Sequence, residues 1–369
     1  MCRHDGYPAY VVNATTSKHV SLGIEFAQWN NMELVAPSGD ILTLNEHQNT
    51  DLFWAVRGGG GSTYGVITSI TFETHPSPAI SHLTWAFVVE PGAPFLSDLF
   101  AYLLSQLPSL EAAGVSMYCT SQKAASTNPF PIAGLPSEVA GVMGIAVLQD
   151  NTDPEALATL WEPMSKAVSE RWPSVTFASQ SLEFASWVDW FGVTRDTRPV
   201  GGNNVMASRL LDETALSEDL DGLSGAIETA MSEAGRLTAF LVSGKAVHEA
   251  DGNKGGNAVH PSWRRAYVHA ITSSSFPSFN ATAKSAAIER VDAAVEGLRR
   301  LAPDMGSYLN EGSRYEKDWQ EAFWGANYPR LLEIKRAVDP NNVFCRSAYQ
   351  VDRGSVVCKR EVEGSSLAT

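Results

Sequence analysis

The sequence predicts an α+β fold in two unequal parts. Toward the amino-terminal end, short β-rich runs are joined by a tight turn and a run of glycines. From about Leu83 to Leu301, strand-like runs alternate with long amphipathic helical patterns. Between the two, His75-Pro76-Ser77-Pro78 stops a strand and has the composition of a linker. A chain of 369 residues has room for two domains. Its 44% apolar and 18% charged residues give packed cores rather than disorder.

Taken in order, Tyr10–Val12 is β-rich and leads through the capping cluster Thr15-Thr16-Ser17 into a short amphipathic helix pattern over Val20–Ala27. Met32–Ala36 and Ile41–Leu44 flank the turn Pro37-Ser38-Gly39-Asp40 and read as a β-hairpin. Val66–Phe72 is a β-branched strand directly after the glycine run. In the second part Trp85–Val89, Val142–Leu148 and Leu237–Val242 are strand-like, while Pro154–Val168, Glu213–Ala234 and Ala281–Leu301 are helical. The last helix ends in Arg299-Arg300, cations placed where the dipole of a helix C-terminus favours them. Tyr315–Ala337 reads as one or two helices closed by Asp339-Pro340.

The charge balance prunes the functions. Lys+Arg is 27 and Asp+Glu 41, a formal net charge of −14. A phosphate-tracking protein needs a basic face, so nucleic acid is excluded as a partner, as is electrostatic anchoring to an acidic membrane surface. No window approaches the roughly 20 apolar residues of a membrane span. The first residues hold no apolar core of a signal peptide, so the chain as written reads as cytoplasmic. The sequons at Asn13 and Asn280 would matter only in a secreted protein. The cysteines, Cys2, Cys119, Cys345 and Cys358, form no C-x-x-C pair, which argues against a zinc site. Cys345 and Cys358 could bridge a short loop or remain free thiols. There is no G-x-S-x-G, no Walker-type G-K-[ST] and no G-x-G-x-x-G after a strand; His248-Glu249 has Gly252 where a zincin needs its second histidine.

Gly58-Gly59-Gly60-Gly61-Ser62 is the strongest backbone signal. Consecutive glycines are costly in conformational entropy and suit a backbone that takes unusual angles or passes close to a ligand. A flexible turn has the same composition, and the run alone does not separate the two. Its flanks do. Asp51-Leu52-Phe53-Trp54-Ala55-Val56-Arg57, the glycines, and Ser62-Thr63-Tyr64-Gly65-Val66-Ile67-Thr68 resemble a segment of the flavin-binding domain of berberine-bridge-type FAD-linked oxidoreductases, in the vanillyl-alcohol-oxidase-like superfamily. The hairpin Glu33–Ile41 resembles the strand pair preceding that segment. At the other end Asp318-Trp319-Gln320, Phe323-Trp324-Gly325-Ala326-Asn327-Tyr328-Pro329-Arg330-Leu331 and Lys335 through Asp339-Pro340-Asn341-Asn342-Val343-Phe344 are similar to the family's C-terminal signature. Ala207-Ser208-Arg209-Leu210, His260-Pro261-Ser262-Trp263-Arg264 and Tyr308-Leu309-Asn310-Glu311 also fit fungal members.

The resemblance implies a two-part flavoprotein-oxidase fold: an incomplete PCMH-type FAD-binding domain over residues 1–80, an antiparallel-sheet substrate domain flanked by helices over 81–310, and a segment over 311–369 returning to the flavin domain. It implies FAD as cofactor, a small-molecule, secondary-metabolite substrate, and molecular oxygen as acceptor. Gly58, Gly59, Gly60, Gly61, Ser62, Gly65 and Val66 would run beside the adenine and pyrophosphate half of FAD, and Asn327 and Tyr328 would approach its isoalloxazine. Glu311 would be the base that takes a substrate proton while hydride leaves; without the resemblance it is an ordinary exposed glutamate. Tyr308 is a second pocket candidate, His260 a structural loop residue, and Trp187, Trp190 and Phe191 are core or pocket aromatics.

One departure stands out. Pro8–Ala27 resembles the family's opening strand and helix, yet Trp29-Asn30-Asn31 passes straight into Met32-Glu33-Leu34-Val35. The family's pyrophosphate loop and its Gly-His dipeptide, whose histidine bonds flavin covalently, have no counterpart between them. Flavin would therefore be held non-covalently or lost. A flavin-free cyclase or small-molecule-binding protein on the same scaffold is the alternative to the oxidoreductase.

Overall fold

The structure is a computed structural model that describes residues 31–344 apart from 61–62, 73, 152, 154, 196–201 and 251–255. The expected elements before Asn31, Gly61 and Ser62, and the cysteines at 2, 345 and 358 lie outside the described residues. The chain divides into two compact units, one taking Met1–Pro76, Asp251–Val259 and Ala326–Thr369, the other Ser77–Ala250 and His260–Gly325. The boundary falls in the His75–Pro78 linker. Residues 311–325 fall in the larger unit.

The smaller unit is built on the hairpin. Its strands β1 (Met32–Val35), β2 (Ile41–Leu44) and β3 (Val66–Ile70) make an antiparallel sheet in the order β2-β1-β3. After β2 the Asn45 side chain accepts from the backbone N–H groups of His47 and Gln48, both at 2.8 Å. That turn delivers the chain into a helix, Thr50–Val56, which buries Leu52, Phe53, Trp54 and Ala55. The helix Tyr328–Val338, with Pro329 in its first turn, buries Leu331, Ile334 and Lys335. Lys335 is fully buried, and its ammonium donates to Thr63 O, Asp339 Oδ2 and Phe344 O, so all three protons are used. Asp339 also accepts from the N–H groups of Val343 and Phe344.

The larger unit is a seven-stranded antiparallel sheet, with β4 (Ile80–Val89), β5 (Ser116–Thr127), β6 (Glu138–Gln149), β7 (Thr176–Phe184), β8 (Asn204–Asp212), β9 (Arg236–Leu241) and β10 (Ala266–Ser275) in the order β7-β4-β6-β5-β9-β10-β8. Side chains alternate between its faces. One face, with Leu83, Trp85, Phe87, Met117, Val142, Ala146, Leu237, Ala239, Val268 and Ala270, is packed under the helices at 96–105, 107–112, 156–171, 213–217, 220–234 and 281–301. Trp85 and Trp161 meet at its centre with ring centroids 5.8 Å apart. Each large side chain buried there contributes roughly 1.5–3 kcal/mol.

Among the described residues of this unit the second face carries no such layer of helices, and the short helix Trp187–Thr194 meets it through Trp190 and His82. One end is capped by residues around Phe130, Ile132 and Leu135, packed on Ala86, Val139 and Met143. Beyond that cap the register brings Gln180, Thr84, Ile145, Tyr118, Phe240, His269 and Leu210 into one row across all seven strands. Helix Ala281–Leu301 agrees with its sequence pattern, whereas the expected helix Glu213–Ala234 divides in two. The break falls where Asp219 turns its carboxylate to the Gly222 N–H and caps a new helix start. Among the described residues no helix is long and apolar enough to cross a membrane.

Candidate active site

Glu311 is positioned by a chain of polar ties that begins on β8. Arg209 is buried, and its guanidinium donates to Ala302 O at 3.0 and 2.6 Å and to Pro303 O at 2.7 Å. It thereby satisfies carbonyls left open where the helix Ala281–Leu301 ends. The following segment lies along β8: Leu210 N–H donates to Gly306 O at 2.8 Å and Ser307 Oγ–H to Ser208 O at 2.6 Å. Gly306 has no alternative side chain, because a Cβ there would lie 2.6 Å from His260 Nε2 and 2.7 Å from Ala322 O. A turn closed by Glu311 N–H on Tyr308 O then presents both side chains to the second face of the sheet.

There Glu311 meets a residue that the sequence reading does not single out. Its Oε2 lies 3.4 Å from Nδ1 of His269, which is 2% exposed on β10. The imidazole sits among rings, 5.5 Å from Tyr308, 5.8 Å from Trp263 and 6.0 Å from Phe240 between centroids. Its Nε2 is buried without a hydrogen-bond partner among the described residues. Burial pushes His269 down to about 4, so it is neutral at pH 7. Burial likewise raises the Glu311 carboxyl above the usual carboxylate range. A neutral imidazole beside a half-buried carboxyl can hold or pass one proton between them. The Tyr308 hydroxyl accepts from Asn310 Nδ2 at 2.8 Å.

The structure thus brings Glu311 and Tyr308 together and adds His269. The signal that could have found His269 is the alternation over Ala266–Ile271, with Ala266, Val268 and Ala270 on the core face and Tyr267, His269 and Ile271 opposite. His260 is structural: Nδ1 accepts from Ser262 N–H, Nε2 donates to Glu321 O, and burial lowers it to about 4. Trp187 and Phe191 stack at 4.9 Å on the helix Trp187–Thr194, and both are exposed, so they are not core residues. Trp190 instead donates its indole N–H to Nδ1 of buried His82, whose Nε2 donates to Thr84 Oγ1.

The other expected residues lie in the smaller unit. Gly58, at φ +125°, packs against the backbone at 258–259; a Cβ there would be 2.2 Å from Val259 N. At Gly59 a Cβ would meet Ala55 O and Leu331, and at Gly65 Val35 O and Leu34. These positions need glycine for the packing of the chain itself. Gly60 is at φ +108° and Val66 is half exposed on β3. Asn327 donates Nδ2–H to Val259 O at 2.9 Å, and Tyr328 begins the following helix.

Comparison with known proteins assigns the class first. The solved VAO-type flavoprotein MtVAO713 from Myceliophthora thermophila C1 superposes with a TM-score of 0.78 at 26% identity, over 89% of this chain and 58% of its own. The fold is that of the vanillyl-alcohol-oxidase-type flavoproteins. The profile of the family "Berberine and berberine like" matches residues 307–348, which include Tyr308, Glu311, Asn327 and Tyr328. An uncharacterized FAD-linked oxidoreductase of Arthroderma benhamiae is 30% identical over 85% of this chain and 52% of its own length. The FAD-linked oxidoreductase apf9 of Gibberella fujikuroi is 29% identical over 87% and 55%. The chain is similar to the berberine-bridge-like FAD-linked oxidoreductases, and it spans about half the length of the curated relatives it matches.

The residues present fit one side of a flavin site. A carboxyl and a buried imidazole, with one ring nitrogen unpartnered among the described residues, form a donor and acceptor set suited to a substrate proton. On the cofactor side, three of the expected glycines are taken up by packing within the smaller unit.

Proposed function

We propose that this chain serves an FAD-linked oxidoreductase that removes hydride and a proton from an alcohol- or amine-bearing carbon of a small molecule, with oxygen as acceptor. Hydride acceptance and re-oxidation by oxygen are the chemistry FAD supplies when bound. Glu311 takes the substrate proton. Its half-buried setting raises its basicity toward the working pH, and the neutral His269 imidazole beside it orients the carboxylate, which loses its charge on taking the proton. Tyr308 and Trp263 exclude water from the imidazole. Asn327, Tyr328 and the loop at Gly60–Ser62 are the residues assigned to hold the cofactor.

The single observation that carries this reading is the Glu311–His269 pair, set among rings on the second face of the sheet in a chain similar to this family. In flavin-loaded protein, Glu311→Gln lowers turnover by about 10²-fold or more while leaving flavin content unchanged. Unchanged turnover removes Glu311 from the mechanism. The flavin-free alternative draws on the glycines spent on packing; it predicts a colourless protein that still turns over its substrate.

A further inference from the structure

The seven-stranded sheet ends in two edges, and the chain treats them differently. At β8 the segment Gly306–Ser307 lies along the strand, with Leu210 N–H bonded to Gly306 O and Ser307 Oγ–H to Ser208 O. At the other edge, among the described residues, β7 has a strand neighbour, β4, on one side only. It pairs with β4 from Thr176 against Val88 to Phe184 against Ile80 without a register shift. Thr176 and Ser179 through Glu183 are exposed. Edge strands are normally guarded by lysine, proline, a bulge or shortness. β7 is nine residues long and has none of these, and its one charged residue, Glu183, accepts from Ser81 Oγ at 2.8 Å.

Beside this edge runs a groove of about 300 Å³ between β7 and the helix Ala156–Arg171. Phe177 and Ser179 line it from the strand, and Glu155, Thr159 and Glu162 line it from the helix side, spaced four and three residues apart as one helical face requires. Trp161, 1% exposed, also borders it, and its indole N–H has no hydrogen-bond partner among the described residues. Glu155 and Glu162 are exposed, and the ion pairs among the described residues involve neither. Unpaired carboxylates beside aromatic surface favour a lysine or arginine, whose stem lies on the rings while its charge meets the acids. A second copy of this chain fits badly, because pairing β7 with itself would bring like charges together in a protein of net charge −14. β7 stands five strands from β10, about 24 Å, so this surface is separate from Glu311 and His269.

We propose that the β7 edge and the groove beside it are a docking site for an extended basic segment of a partner polypeptide. The segment adds a strand to the sheet through main-chain hydrogen bonds, and a lysine or arginine on its groove side reaches Glu155 and Glu162. Its alternate side chains lie on the opposite face at Leu182, which is 38% exposed. The test is fluorescence anisotropy of a labelled peptide, Thr-Lys-Val-Lys-Val-Lys-Thr, titrated with the purified full chain. Saturable binding is expected, weakened about 10-fold by about 0.5 M salt and by the double variant Glu155→Gln, Glu162→Gln. A peptide with glutamate in place of lysine should not bind, nor should one N-methylated at every lysine and valine, which has lost its main-chain donors. Binding of either control peptide as tight as that of the lysine peptide overturns the proposal, as does no binding of the lysine peptide. These controls use the unaltered chain, so they stand whether or not the double variant folds. A concentration-dependent dimer that excludes the peptide also overturns it and assigns the edge to a second copy.

Discussion

The two units solve the same problem, burying one face of a sheet, to very different extents. The larger lays six helices over seven strands and closes a single apolar core around Trp85, Trp161, Phe87 and Phe100. The smaller has three short strands and two helices among its described residues, and leaves Ile41, Val66, Ile67 and Phe72 exposed at 69%, 51%, 39% and 71%. Its most buried polar feature is an ion pair, Lys335 with Asp339, tied to four backbone groups. Where apolar area is plentiful, packing carries the fold; where it is scarce, specific polar ties fix the chain's path.

That contrast is broken most sharply by core and ion-pair substitutions. Trp161→Ala costs the larger unit about 3–5 kcal/mol by leaving a cavity beside Trp85. Lys335→Ala costs the smaller unit a comparable 3–5 kcal/mol, because Asp339 is left buried with an uncompensated charge. Amide hydrogen exchange read separately over β4–β10 and over the helix at 328–338 assigns each loss to its unit. A global effect of either variant contradicts separate cores.

Acid separates the units next. His82, His260 and His269, all in the larger unit, are lowered to about 4 by burial, against an ordinary 6.5. The unfolded chain therefore binds more protons between those limits. The stability these histidines contribute is full above pH 6.5 and is lost as pH falls toward 4, at up to about 1.4 kcal/mol per pH unit for each. Asp339 is held below its ordinary 3.8 by hydrogen bonds and charge from Lys335 and by the N–H groups of Phe344 and Val343, against burial. The stability it contributes is lost only below that ordinary value. The larger unit should lose exchange protection first as pH falls from 6.5 to 4; equal loss in both units sinks this account. Smallest of all, Phe72→Asp should change stability by no more than about 0.5 kcal/mol while raising solubility, which a denaturant midpoint and a precipitation curve check.

The parts of the fold legible in the sequence were those with local signals. The hairpin at 32–44 has its turn residues, the helix at 281–301 has its periodicity and terminal arginines, and the linker at 75–78 has its prolines. The β5 sequence Ser116–Thr127 is too polar, and β8 too irregular, to read as strands; pairing with neighbours makes them so. Glu311 and Tyr308, the proposed site residues, were singled out through a motif. His269 was not, because its place beside Glu311 depends on β10 entering the sheet and on Arg209 and Ser307 tying a distant segment to β8. Nor did the glycine run reveal that Gly58 packs on residues 258–259.

The claim that this chain supports FAD-linked chemistry is tested most directly by the visible spectrum of the purified protein after incubation with FAD and removal of unbound cofactor. Flavin bands retained at about one equivalent per chain are the predicted result. A folded, colourless protein that takes up no FAD contradicts it.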